Sequence, residues 1–159
     1  MKFNCTYTLW CHYEKDNWNL SGYKKLYEIN DAKSFWELFN NWDNIGGLLG
    51  KQFFIMKKGI TPRWEDKANY HGGCWSFKLN LDDYEEIWQM LSTLLMVDEL
   101  SKNFSDINGL SICLKKNEKV VIKIWNKNKN NYKIENLNKI IFEEYNPEII
   151  YIANNPNKN

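Results

Sequence analysis

Between Lys58 and Trp75 the chain sets an indole beside a carboxylate. The run is Lys58-Gly59-Ile60-Thr61-Pro62-Arg63-Trp64-Glu65-Asp66, followed by Asn69 and then Gly72-Gly73-Cys74-Trp75. Pro62 stiffens the loop by fixing its own φ, and the glycine pair opens a strand. Trp64 offers a flat π face and Glu65 two acceptor oxygens, a combination suited to a flat, electron-poor ring with donors along one edge. A positively charged purine is such a ring. Two more tryptophans stand off every apolar stripe: Trp18 in a polar loop, and Trp125 on the non-core side of a strand, beside lysines.

Two indoles from this set can hold a ring between them. Stacking a base on an aromatic is worth ~1–3 kcal/mol. A methyl group on a ring nitrogen places positive charge in the stack and adds ~0.5–2 kcal/mol of cation–π attraction. Glu65 accepting from two donors on a guanine edge contributes ~1.5–3 kcal/mol. Adenine lacks that donor pair, so the carboxylate selects guanine, while lysines hold phosphates as point charges. After ordering costs, binding falls near or below micromolar, for which ~8 kcal/mol is the mark.

These residues need a frame. Thr6 to Tyr13 alternates as a strand, and Lys24 to Ile29 reads as a second. Asp31 is an N-cap for a helix from Ala32 to Trp42. Phe35, Leu38, Phe39 and Trp42 share one face of it, and Trp36 lies about a quarter-turn or more off that stripe. Gln52 to Lys57 and Gly73 to Asn80 are strands flanking the Trp64 loop. Asp82 or Asp83 caps a long helix whose apolar surface is Ile87, Trp88, Leu91, Leu94 and Leu95, widened by Met90 and Val97. Gly109 to Lys115 and Glu118 to Trp125 form a hairpin. Leu110, Ile112, Leu114, Val120, Ile122 and Ile124 face the core; Ser111, Cys113, Lys115, Val121, Lys123 and Trp125 face away. A third helix is predicted over 134–145 and a last strand over Glu148 to Ala153, with a fraying tail over 154–159. The fold class is α+β: one domain over 1–159, a single antiparallel sheet of about seven to eight strands, and three helices on one face.

Length, charge and cysteines narrow the classes. The chain has 159 residues and a formal net charge of +1, so no global field attracts a long nucleic acid. Its four cysteines (Cys5, Cys11, Cys74, Cys113) and two histidines (His12, His71) make no zinc spacing, and no cofactor or metal is implied. Reduced thiols in a cytoplasmic monomer are expected. No apolar run is long enough to span a membrane and the N-terminus lacks the apolar region of a signal segment, so the sequons at Asn4, Asn19 and Asn103 are expected to be idle. Arg63 is the sole arginine; the lysine bias reads as codon usage in an AT-rich genome, such as a large DNA virus or a parasite.

Over nearly its whole length the chain resembles the eukaryotic translation initiation factor 4E family. The matching pieces are Thr8-Leu9-Trp10, Trp18, Ser34-Phe35-Trp36-Glu37-Leu38, Gly59-Ile60 with Pro62 and Trp64-Glu65-Asp66, Gly72-Gly73 with Trp75, and Ile124-Trp125. The Trp64 loop is the most specific of them. The resemblance implies a curved sheet with a slot for the 7-methylguanosine mRNA cap on its concave face and helices on its convex face. Trp18 and Trp64 would stack on the methylated guanine, Glu65 would bind its edge, and Trp125 would touch the methyl group. The phosphate arginine of the family falls on Lys115 and its second phosphate lysine near Val121; Lys123 or Lys119 would serve instead, and strand alternation favours Lys123. On the convex face Trp36 would anchor the helix of a scaffold initiation factor or repressor, with Leu91, Leu94 and Leu95 as neighbours. Cys74 stands where the family has an arginine, which removes one positive group near the phosphates. The chain starts past the family's His-Pro segment, and its C-terminal loop is short.

Three rival readings are carried forward. His71 and Cys74 suggest a thiol nucleophile, but no orienting acid or amide accompanies them, and an enzyme is not expected. Tyr7, Tyr13, Trp125 and the lysines from Lys115 to Lys133 suggest a general single-stranded RNA surface. A cap binder lacking part of its scaffold surface suggests a repressor that sequesters caps.

Overall fold

The computed structural model describes residues 1–144 and 148–155. Its sheet has seven strands: β1 (Lys2–His12), β2 (Tyr23–Asp31), β3 (Gln52–Lys57), β4 (Gly73–Asn80), β5 (Ile107–Leu114), β6 (Lys119–Asn126) and β7 (Glu148–Ala153). They lie in the order β2-β1-β3-β5-β6-β4-β7, and every pairing is antiparallel. The helices are α1 (Ala32–Asn40), α2 (Tyr84–Met96) and α3 (Ile140–Glu144). None is long and apolar enough to cross a membrane.

Strand alternation sorts the side chains onto two faces. Leu9, Ile55, Leu110, Ile124 and Trp75 turn one way and pack with Phe35 and Leu38 of α1, Trp88 and Leu91 of α2 and Ile141 of α3 in one large core. The opposite face carries a smaller cluster: Trp10, Phe54, Met56, Cys74 and Trp125, with Tyr23 and Ile60 against it. Helices thus cover one face only, and the other lies open to the loops that follow β1 and β3.

The start of α1 follows from its sequence. Asp31 Oδ1 accepts from the Ser34 amide at 2.8 Å, and the Ser34 hydroxyl accepts from the Asp31 amide at 3.1 Å, a reciprocal cap. The helix ends at Asn40, two residues before expectation; the Asn41 side chain donates to the Glu37 carbonyl at 2.7 Å, and Trp42 begins a 3-10 turn.

The predicted helix over 134–145 is corrected. Ile134–Asn136 is a 3-10 turn, and among the described residues of this span only Ile140–Glu144 is α-helical; 145 lies outside the described residues. Tertiary pairing intervenes. Leu137 bridges Ser101, the Lys102 amide donates to Asn136 O at 2.8 Å, and the Asn138 amide donates to Leu100 O at 3.0 Å. Asn138 then caps the short helix, its Oδ1 accepting from the Ile140 amide at 3.1 Å. Of the predicted tail, Asn154 is bonded to Gly72 O through its amide; 156–159 lie outside the described residues.

Candidate functional site

The Trp64 loop is built around two polar side chains. Asp66 Oδ2 accepts from the Thr61 amide at 2.8 Å and its hydroxyl at 2.7 Å, while Oδ1 accepts from the Ala68 amide at 2.9 Å. Burial opposes ionisation of Asp66, but these bonds and the nearby Arg63 charge outweigh it and hold its carboxyl below the usual carboxylate range. Asn69, fully buried, donates to Thr61 O at 3.1 Å and Arg63 O at 2.9 Å and accepts from Asn108 Nδ2 at 3.0 Å. Its backbone carbonyl takes the Asn154 side chain at 2.8 Å. With its base so clasped, the loop raises Trp64 and Glu65 to the surface. Trp64 is 45% exposed and leans on Tyr70 (centroids 6.1 Å, planes 28° apart). Glu65 is exposed.

The glycine pair is required by close approach. A Cβ at Gly72 would lie 1.8 Å from Asn126 O, and one at Gly73 would lie 2.5 Å from Ile152 O. Asn126, buried, locks that corner: its Oδ1 accepts from the Gly73 amide at 3.0 Å and the Tyr151 hydroxyl at 2.7 Å, and its Nδ2 donates to Asp106 at 2.9 Å.

The second loop follows β1. Trp18 is 54% exposed and lies flat on His12 (centroids 4.2 Å, planes 14° apart). His12 in turn touches Tyr23, which touches Phe54, which meets Trp125 edge-on at 6.2 Å. Tyr23, beneath the Trp18 stack, and Ile60 of the Trp64 loop both pack on the cluster around Trp125. Burial raises the pKa of the Tyr23 phenol, the Glu65 charge raises it further, and Arg63 opposes. A cleft of about 410 Å³ runs between the loops, lined by Leu20 from one, by Gly59, Ile60 and Thr61 from the other, and by Thr8, Trp10, Tyr23 and Lys25.

Trp125 belongs to the floor of this face, not to its surface. It is 7% exposed, among Phe54, Met56 and Cys74, and its indole N–H donates to Ser111 Oγ at 3.0 Å. Alternation predicted its face correctly; its cover comes from other strands. Lys123 shares the face and pairs across the ladder with Ser111 and Ser76, about 7 Å along β6 from Trp125 at two residues' rise. Lys115 and Lys119 lie at the far rim, about 20 Å along the strands, where Lys119 Nζ donates to Asn80 Oδ1 at 2.6 Å. Lys78 of β4, opposite Val121, adds an exposed cation that the sequence reading missed; its i+2 and i+4 relation to Ser76 and Cys74 was the available signal.

On the helical face Trp36 is 44% exposed, edge-on against Phe35. Leu94 is half-buried. Leu91 and Leu95 are corrected: at 0% and 2% exposure they are core, turned inward by the same stripe that packs Trp88, and cannot touch a partner. Of the aromatics in the RNA-surface reading, Tyr7 is buried in the core with its hydroxyl toward Leu95 O and Trp125 is covered, while Tyr13 is exposed. Burial pushes the Cys74 thiol up to about 12, so it is not a thiolate nucleophile near neutral pH. Among the described residues no group of three or more His, Cys, Asp or Glu side chains is placed to hold a metal.

A family model described as "Eukaryotic initiation factor 4E" matches residues 2–156. An initiation factor 4E of Candida albicans is 26% identical over 135 residues, covering 78% of this chain and 63% of that protein. One of Saccharomyces cerevisiae is 33% identical over 90 residues, covering 54% and 41%. The factor NCBP of Triticum aestivum is 27% identical over 106 residues, covering 66% and 45%. The chain thus spans about half the length of the curated relatives it matches. Among solved structures, Ascaris suum eIF4E-3 with m7G cap superposes with a TM-score of 0.80 at 19% identity, covering 96% of this chain and 90% of that one. C. elegans eIF4E-3 with the 4E-binding protein Mextli and cap analog gives 0.83 at 20% identity, covering 96% and 91%. These superpositions fix the fold, and the match over 2–156 fixes the lineage: the chain belongs to the eukaryotic initiation factor 4E family.

Proposed function

We propose that the chain binds the 7-methylguanosine 5′ cap of mRNA and acts in translation initiation in the cytoplasm. One observation carries the reading: two half-exposed indoles, Trp18 and Trp64, rise on separate loops that border one cleft, with the exposed Glu65 carboxylate beside the second. In this reading the methylated base lies between the indoles, where its charge meets two π faces. Glu65 accepts from the guanine N1 and N2 donors; it takes no hydrogen bond or ion pair from another described residue, so both oxygens are available.

Trp125 lies beneath as a wall for the methyl group. Its N–H is occupied by Ser111, so it offers apolar surface rather than a donor. Lys123 takes the nearer phosphates, and Lys115 and Lys119 extend the positive track toward the β5–β6 turn. The family is non-enzymatic, and the site needs no chemistry beyond recognition. On the other face, Trp36 with Leu94 receives an amphipathic helix of a scaffold factor.

Tryptophan fluorescence titration with 7-methyl-GTP and GTP tests this. Strong quenching by the methylated nucleotide, lost in Trp64→Ala, supports the reading. Equal response to both nucleotides, or none in a folded protein, overturns it.

A further inference from the structure

Trp18 is held from behind. One face of its indole lies on His12 at 4.2 Å between centroids and 14° from parallel. The His12 ring is itself fixed. It is 4% exposed, it leans on Tyr23 at 4.6 Å, and its Nε2 lies 2.8 Å from the Asn17 carbonyl. A carbonyl can only accept, so Nε2 carries the proton in this arrangement.

Asn17 is the hub of the loop. Its Nδ2 donates to Glu14 at 2.6 Å and Ser21 at 3.1 Å, and its Oδ1 accepts from the Asn19 amide at 3.1 Å. A Cβ at Gly22 would lie 2.1 Å from the same Asn17 carbonyl, so the chain closes tightly around the group that orients the imidazole. The Asn17 side-chain bonds lie at the exposed surface of the loop, while His12 and Gly22 are buried.

We infer that His12 is a positioning residue for Trp18: a third flat ring that sets the tilt of the plate and leaves its outer face for the base. The inference rests on the cap-binding reading and deepens it. Its consequence is quantitative. A ligand that needs a set plate binds with an apparent Kd equal to the intrinsic Kd divided by the fraction of molecules in which the plate is set. Removing the rear ring lowers that fraction for every ligand alike. Affinity falls while methyl selectivity stays constant, whereas changes in Trp64 or Glu65 alter selectivity itself.

Two variants separate shape from stacking: His12→Leu removes the flat ring, and His12→Phe keeps it without the bond to Asn17. With Trp64→Ala as reference, His12→Leu is expected to weaken 7-methyl-GTP and GTP by the same factor of about ten, and His12→Phe by no more than about threefold. A folded His12→Leu protein with wild-type affinity, a changed ratio between the two nucleotides, or a Phe variant no better than Leu each overturns the inference. A second measurement needs no nucleotide. The His12 ring protons in NMR spectra of the wild type should be shifted upfield by the indole and return in Trp18→Leu; identical shifts overturn the stack even if the cap reading fails on its own test.

Discussion

Asn69 touches no proposed ligand, yet its loss should disable the site. The Asn69→Ala substitution deletes three hydrogen bonds from a fully buried side chain: two to the Thr61 and Arg63 carbonyls and one from Asn108. At about 1 kcal/mol net per bond the loss is about 3 kcal/mol. In a chain of this size each kcal/mol moves the melting temperature by about 2–4 °C, so a fall of about 6–12 °C is expected by differential scanning calorimetry. Both carbonyl partners belong to the loop that carries Trp64 and Glu65. If half of the loss falls on the closed state of that loop, affinity for 7-methyl-GTP drops about tenfold. Asn69→Asp should do no better, because it removes both donors and turns a carboxylate toward two carbonyls. A melting temperature within about 2 °C of wild type, with unchanged affinity, would refute the claim that Asn69 clasps the loop.

Glu65→Gln should behave in the opposite way: stability within about 0.5 kcal/mol of wild type, since the carboxylate is exposed, and cap affinity lower by about 10–150-fold through loss of the charge-assisted pair. Trp36→Ala should leave cap titrations unchanged and weaken pull-down of a scaffold-derived helical peptide by more than tenfold; loss of both activities would make Trp36 a core residue. Acid should open the Trp64 loop through Asp66. Its folded pKa is depressed, so its contribution is complete above the ordinary carboxylate pKa and is lost as pH falls through the lower folded value. The protection factors of the Thr61 and Ala68 amides against exchange, read by NMR from pH 5 downward, should fall in wild type as Asp66 takes up its proton. In Asp66→Asn these amides should already be labile at pH 5.

The sequence resolved what local patterning controls. Gln52–Lys57, Gly73–Asn80 and Glu148–Ala153 carry strand signals between breakers, and the structure has them at those bounds. Asp31 and Ser34 form the cap their spacing suggests. Trp36 stands outside its helix stripe because a helix angle can be read from numbering alone. Cover is another matter. Alternation put Trp125 on the open face, but Phe54, Met56 and Cys74, which bury it, come from β3 and β4. Leu91, Leu94 and Leu95 looked alike on a wide apolar surface; the packing of β1 and β5 against α2 decides which of them are core. The segment from Ile134 was drawn out of its helix by Ser101 and Lys102, a pairing across more than thirty residues that no local window contains. His12 belongs to no metal-ligand spacing in the sequence, and its role lies in packing. Its partner is only six residues away, but nothing in a strand-to-loop junction announces that a ring will fold back flat upon it.

The most direct measurement is a crystal structure of the protein with 7-methylguanosine triphosphate. The expected map has the base between the planes of Trp18 and Trp64, its N1 and N2 within hydrogen-bond distance of the Glu65 oxygens and its methyl group over Trp125. Nucleotide density elsewhere on the sheet, or a base that meets only one of the two indoles, would contradict the two-plate slot.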